Sequence, residues 1–207
     1  MLDPFYLIVD SAEWVARLLP CGVRLVQLRI KNQSDQTVRE EIIKAKALCA
    51  RHGAQLVVND HWQQAIDAGC DFIHLGQGDL ATADFSAIRR ASVRFGVSTH
   101  DEAELARALE TDPNYIALGP IYPTILKAMA FAPQGLPRLA EWKKKIGKIP
   151  LVGIGGITLA RVRDVLEAGA DSAAVVTDIT RNANPEQQAR DWVKATRGSS
   201  PRFQQNH

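Results

Sequence analysis

Cysteine is scarce in this chain. Cys21, Cys49 and Cys70 are odd in number and lack metal-ligand spacing, which argues against a disulfide-stapled scaffold and a thiolate metal centre. They read as reduced thiols in or near the core. Long apolar runs are missing as well: none approaches the ~20 residues of a membrane span, so no membrane partner is expected. Met1-Leu2-Asp3-Pro4 has neither the basic region nor the apolar stretch of a signal peptide, so the expected location is cytoplasmic. Charge of one sign is lacking too. The 25 Lys and Arg against 23 Asp and Glu leave a formal +2 over 207 residues, too mild an excess to imply nucleic acid. The one basic run, Lys143-Lys144-Lys145, reads as a solvated helix end. The 5 histidines form no metal cluster, and no lysine lies inside a strand where a Schiff-base enzyme would place one.

What is present is a repeated plan: amphipathic helix, glycine stop, apolar strand, polar loop. Gly22, Gly53, Gly69 and Gly169 each stand just before an apolar strand, where a left-handed residue closes a helix. Strands are predicted near Phe5–Val9, Leu25–Leu28, Gln55–Val58, Phe72–Leu75, Arg94–Val97, Tyr115–Leu118, Leu151–Ile154 and Ala173–Val176. Helices are predicted over Ala12–Leu19, Thr37–Arg51, Trp62–Ala68, Phe85–Ala91, Glu102–Leu109, Leu136–Ile146, Leu159–Ala168 and Glu186–Thr196. Strands and helices alternating in this number indicate an α/β fold, a single-domain (β/α)8 TIM barrel over residues 1–197. The unbroken apolar strands suit a parallel sheet covered on both faces. An open flavodoxin-like sheet is the rival, but it uses about five strands. Residues 198–207, polar and without periodicity, are expected to form a disordered tail.

The strand endings carry the chemistry. Val26-Gln27-Leu28 runs into Arg29 and Lys31, Leu56-Val57-Val58 into Asn59 and Asp60, and Ile73-His74-Leu75 into Gly76-Gln77 and Asp79. Phe95-Gly96-Val97 runs into Ser98-Thr99, and Val152-Gly153-Ile154 into Gly155-Gly156. In a parallel barrel all of these lie at one mouth. Asp60 and Asp79 offer oxygen ligands for Mg²⁺, which takes one or two carboxylates plus substrate phosphate and water; their alternative role is capping the following helices. Arg29 and Lys31 suit phosphate oxygens, or alternatively ion pairs with Asp35 or Glu40. Gly155-Gly156-Ile157-Thr158 is expected to open a helix and present bare N–H groups to an anion, with Val176 and Thr177 as partners after strand eight. The loop from Gly119 to Lys127 is long for its place, and Pro120–Pro133 has the length of a lid. His74 reads as a core residue rather than a base; His61 and His100 are expected to flank the mouth. Metal and cations without a base point to charge stabilisation of phosphates rather than proton abstraction.

These motifs, Gln27-Leu28-Arg29-Ile30-Lys31, Asn59-Asp60, His74 through Leu80, Gly96 through His100, Pro123-Thr124…Lys127 and Gly155 through Thr158, resemble thiamine-phosphate synthases in identity and order over residues 5 to 180. The resemblance implies a transferase joining 4-amino-5-hydroxymethyl-2-methylpyrimidine diphosphate to a thiazole phosphate, with dissociative loss of pyrophosphate. It implies Mg²⁺ on Asp60 and Asp79, and the diphosphate on Gln27, Leu28, Arg29, Ile30, Lys31, Asn59, Ser98 and Lys127. Of these, Arg29, Lys31, Ser98 and Lys127 would act in catalysis. It places the thiazole phosphate on Thr124, Leu126, Gly155, Gly156, Val176 and Thr177. Small-molecule substrates are the expected partners, and a homo-oligomer is compatible with it. Three positions depart from the family pattern. Leu126 replaces the second Thr of the Pro-Thr-x-Thr-Lys loop, Gly78 stands where an acid is common, and Thr177-Asp178 replaces Ser and a small residue. A carboxylate at 178 would repel a phosphate unless it points away. Rival readings are a thiazole tautomerase, which has no use for the diphosphate set, a non-catalytic phosphate-ligand-binding barrel, and a phosphosugar isomerase, weakened by the missing base.

Overall fold

A computed structural model describes residues 1–124 and 131–197. Leu126, Lys127 and the expected tail at 198–207 therefore lie outside the described residues, as does the middle of the Pro120–Pro133 segment. Strands β1 (Phe5–Val9), β2 (Leu25–Leu28), β3 (Gln55–Asn59), β4 (Phe72–Leu75), β5 (Arg94–Thr99), β6 (Tyr115–Leu118), β7 (Leu151–Ile154) and β8 (Ser172–Val175) close into one barrel in sequence order. Neighbours are parallel throughout, and β1 pairs with β8 to close the ring. The expected (β/α)8 barrel is the fold.

The helices are α1 (Ala12–Leu18), α2 (Asp35–His52), α3 (Trp62–Asp67), α4 (Gln77–Leu80), α5 (Phe85–Arg90), α6 (Glu102–Glu110), α7 (Gly135–Ile146), α8 (Val162–Glu167), α9 (Thr177–Thr180) and α10 (Pro185–Arg197). Side-chain caps set several starts. Ser34 accepts from the Thr37 N–H, so α2 begins two residues before the periodic pattern does. Asp101 likewise accepts from the Glu104 N–H at α6, each cap satisfying a donor the first turn leaves unpaired. At the other end of α2, Gly53 takes φ 60°, a left-handed closure that costs an L side chain.

Two apolar layers follow from the alternation of the strands. One lies between sheet and helices and includes the fully buried Trp142 and Trp192. The other fills the barrel interior with Tyr6, Ile8, Leu25, Val57, Phe72, Tyr115, Ala117, Val152 and Ala174. This inner ring mixes large residues with small ones. Gly96 is the register partner of Tyr115, and a Cβ at 96 would collide with the Tyr115 ring. The glycine gives the phenol its place across the barrel floor. Among the described residues no helix is long and apolar enough to cross a membrane.

Candidate active site

Above that interior layer the strands end in a cavity of about 800 Å³, within the size range of small-ligand sites. Its wall has two halves. On β2 to β5 the last inward-facing side chains are polar: Gln27, Asn59, His74 and Ser98. On β6, β7, β8 and β1 they are Ala117, Ile154, the neighbouring Val176 and Ile8. Arg29, Lys31, Asp60 and Asp79 stand at the rim of the polar half. The structure thus brings the sequence-predicted diphosphate and metal residues that it describes, Lys127 not being among them, to one side of one mouth. Leu28 and Ile30 are the exception: their side chains are buried in the layer between sheet and helices, not in the cavity.

Lys31 pairs with Asp60 across the gap between β2 and β3 rather than with Asp35 or Glu40. Among the described residues Arg29 makes no ion pair. Asp60 follows β3 at φ 62°, a left-handed conformation that Asp tolerates better than most side chains and that functional sites often retain. Its backbone N–H donates to the His74 carbonyl at 2.9 Å. The capping alternative fails for Asp60, because α3 is preceded by His61 and has no side-chain cap. It fails for Asp79 too, since α5 is capped by Asp84. Asp79 is the third residue of the short helix α4, and one of its carboxylate oxygens accepts from the Gly76 N–H at 2.8 Å at that helix's start. Burial pushes both carboxyls up. At Asp60 the hydrogen bond and charge of Lys31 outweigh burial, and its acidity ends below the ordinary range. At Asp79 burial, with Asp60 alongside, wins over the Gly76 N–H, and the value is raised. Two carboxylates that repel each other at a partly buried rim are a site that a cation relieves.

His74 is buried, and burial pushes its pKa down to about 4, so the imidazole is neutral. Its Nδ1 lies 2.7 Å from the Tyr115 hydroxyl and its Nε2 lies 2.7 Å from Ser98 Oγ. The core reading of His74 is right: both ring nitrogens are taken up by Tyr115 and Ser98. His100 lines the mouth, stacked on Phe131 at 4.7 Å. His61 instead reaches the Ile30 carbonyl.

Opposite, Gly155 and Gly156 take φ 95° and 63°. A Cβ at 155 would sit 2.6 Å from Pro120, and one at 156 would strike the Pro123 carbonyl. The glycines therefore let the loop after β6 lie on the loop after β7, where Ile121 and Tyr122 N–H groups donate to Ile154 and Gly155 carbonyls. The expected helix start here is corrected: α8 begins only at Val162, after a turn. Gly155, Gly156, Thr124, Val176 and Thr177 all line the cavity, and so does Arg181 after β8, which the sequence reading did not single out. Its signal is weak, one arginine in a polar segment.

A family model described as thiamine monophosphate synthase matches residues 5–179. The chain belongs to the thiamine monophosphate synthase family. Members of this family are transferases of thiamine biosynthesis, and the chain is one of them. It is 63% identical to a thiamine-phosphate synthase of Rhizobium etli over 94% of this chain and 96% of that one. It is 51% identical to one of Serratia proteamaculans over 92% and 87%. A solved thiamine phosphate pyrophosphorylase from Pyrococcus furiosus superposes with a TM-score of 0.84 at 26% identity, covering 94% and 95%.

Against the family pattern, the departure at Asp178 finds its explanation in the structure. One carboxylate oxygen accepts from the Leu159 N–H (3.1 Å), Gln188 Nε2 (2.7 Å) and Trp192 Nε1 (2.7 Å). The side chain is directed at α10 and is absent from the cavity wall. It ties the loops after β7 and β8 to the outer helix layer.

Proposed function

We propose that this mouth forms thiamine phosphate from 4-amino-5-hydroxymethyl-2-methylpyrimidine diphosphate and 4-methyl-5-(2-hydroxyethyl)thiazole phosphate, releasing pyrophosphate by a dissociative route. The observation that carries this reading is the Asp60–Asp79 pair at the ends of neighbouring strands, faced by Lys31 and Arg29. Two carboxylates fit Mg²⁺, which completes its shell with water and substrate phosphate. When bound, the ion supplies positive charge to the departing pyrophosphate.

The chain's own residues divide the remaining work. Arg29 and Lys31, with Lys127, hold the diphosphate oxygens. Lys31 is already oriented by Asp60, so little of its freedom is lost on binding. Gln27, Asn59 and Ser98 sit deeper and bind the pyrimidine and the bridging end of the diphosphate. Thr124, Gly156 and the Val176–Thr177 backbone hold the thiazole phosphate on the opposite wall. The bond from the pyrimidine methylene carbon to the diphosphate oxygen breaks, and both electrons leave with pyrophosphate. The thiazole nitrogen then donates its pair to that carbon. No proton moves between heavy atoms in the coupling, so the step asks for no general base. We place this chemistry in the cytoplasm, with the two small molecules as partners.

Purified protein with both substrates and Mg²⁺ is expected to yield thiamine phosphate and pyrophosphate, and none after chelation of the metal. No product with both substrates and metal present removes this reading.

A further inference from the structure

Beneath the polar rim, side chains from five strands form one hydrogen-bonded line across the barrel floor. Gln27 Nε2 on β2 donates to the Tyr6 hydroxyl on β1 at 3.0 Å. The Tyr6 and Tyr115 hydroxyls lie 3.0 Å apart. Tyr115, on β6, is 2.7 Å from His74 Nδ1, and His74 Nε2 is 2.7 Å from Ser98 Oγ on β5. All five line the cavity; Gln27, Tyr6, Tyr115 and His74 are buried, and Ser98 is the most exposed of them.

The direction of this line follows from its first bond. An amide nitrogen only donates, so Tyr6 accepts there; the arrangement that leaves no buried hydroxyl proton without an acceptor has Tyr6 giving its proton to Tyr115. Tyr115 then gives its own proton to His74 Nδ1. Accepting there, Nδ1 carries no proton, so the ring's N–H is on Nε2 and points at Ser98 Oγ. Burial holds both phenols above their ordinary range, so each keeps the proton this line requires. Ser98 accepts from His74, and its own proton is left for the cavity.

We propose that Tyr6, Tyr115 and His74 are positioning residues for Ser98: they fix His74 as the Nε2–H tautomer and make the Ser98 hydroxyl a dedicated donor to an acceptor atom of the pyrimidine diphosphate. This rests on the reading that the diphosphate substrate occupies the polar half. A free serine hydroxyl donates and accepts in several rotamers. Here the accepting side is occupied from below, so the O–H is oriented before the ligand arrives. An acceptor that gains negative charge as pyrophosphate leaves is met by a donor that needs no reorganisation. The floor also explains why the tyrosines are there at all: leucine or phenylalanine would fill the same interior space without a hydroxyl.

The test has two arms. In the first, the full-length protein labelled with ¹⁵N-histidine is observed by NMR without ligand, with His74→Gln used to assign the signal. A proton on Nε2 is expected, and a proton on Nδ1 reverses the line and overturns the proposal. This arm stands even if the enzyme turned over a different substrate pair. In the second, Tyr115→Phe keeps the ring and removes the hydroxyl. It should lower kcat/KM for the pyrimidine diphosphate about tenfold, the usual scale for residues acting through another, and leave KM for thiazole phosphate unchanged. In a Ser98→Ala background the same change should cost less than about twofold, because residues in one network are not additive. An equal loss in both backgrounds, or no loss in either, means Tyr115 does not act through Ser98. Tyr6→Phe, one bond further away, should act on the same parameter, and it decides the matter if Tyr115→Phe fails to fold.

Discussion

Removing the Asp178 carboxylate should cost stability and gain nothing at the phosphate site. In Asp178→Ala three donors lose a common acceptor: Trp192 Nε1, Gln188 Nε2 and the Leu159 N–H. They are not equivalent. Trp192 is fully buried, so its N–H has no water to turn to, whereas Gln188 and Leu159 are half-buried. An abandoned buried donor costs about 1–3 kcal/mol. With a smaller loss from the other two, the expected destabilisation is about 2–4 kcal/mol. At roughly 2–4 °C per kcal/mol for a chain of this size, Tm should fall by about 5–15 °C. Asp178→Asn keeps an acceptor oxygen and should lose about half as much. Thermal and urea unfolding followed by tryptophan fluorescence reads both variants, since Trp192 itself reports on the contact. KM for thiazole phosphate should stay within about twofold of the parent, because the carboxylate is directed at α10. An Asp178→Ala variant with unchanged Tm and a clearly lower KM would show that the carboxylate faces the anion, and the geometric argument would fail.

Asp60→Asn keeps the shape and tolerates the left-handed backbone, so Tm should move little while turnover drops at least about a hundredfold; near-normal activity would mean that the cation sits elsewhere. Gly155→Ala places a methyl group against Pro120 at a positive φ, and a loss of about 1–3 kcal/mol in urea unfolding is expected, with no change in stability refuting the close approach. Burial raises all three thiols, Cys49 to about 12. Native protein at pH 8 should therefore leave them unreactive to a chromogenic disulfide reagent, with all three released on unfolding. Because the folded value of Cys49 lies above its unfolded 9.0, the stability it contributes is complete below pH 9 and declines as pH rises toward about 12.

The barrel was legible because each strand is a short apolar run between a glycine stop and a polar ending, a pattern that survives without knowledge of the partners. Helix starts were less legible. α2 starts at its serine cap rather than at its first apolar residue, and Gly155-Gly156 are spent on packing the Pro120 loop, which delays α8 to Val162. The helices α4 and α9 span four residues each, too few for a 3.6-residue period to show. At the site, Arg29, Lys31, Asp60 and Asp79 were readable because strand ends converge in any parallel barrel. The Lys31–Asp60 pairing was not, since it crosses from one strand end to the next. Nor was the floor. Tyr6 and Tyr115 look like ordinary apolar strand residues in sequence, and only closure of the ring shows that β1, β4 and β6 face one another.

Gly96 and Tyr115 also have a meaning beyond this molecule. The ring can lie flat across the barrel only where its strand neighbour lacks a side chain, so neither position can drift alone. Adding a side chain at 96 displaces the phenol, while shrinking residue 115 leaves a hole that no nearby group fills. The two positions are sterically coupled. A strand glycine two places before the mouth serine, matched by an inward tyrosine on the next strand, is thus a readable mark by which the same floor can be sought in other barrels, or transplanted whole into a designed one.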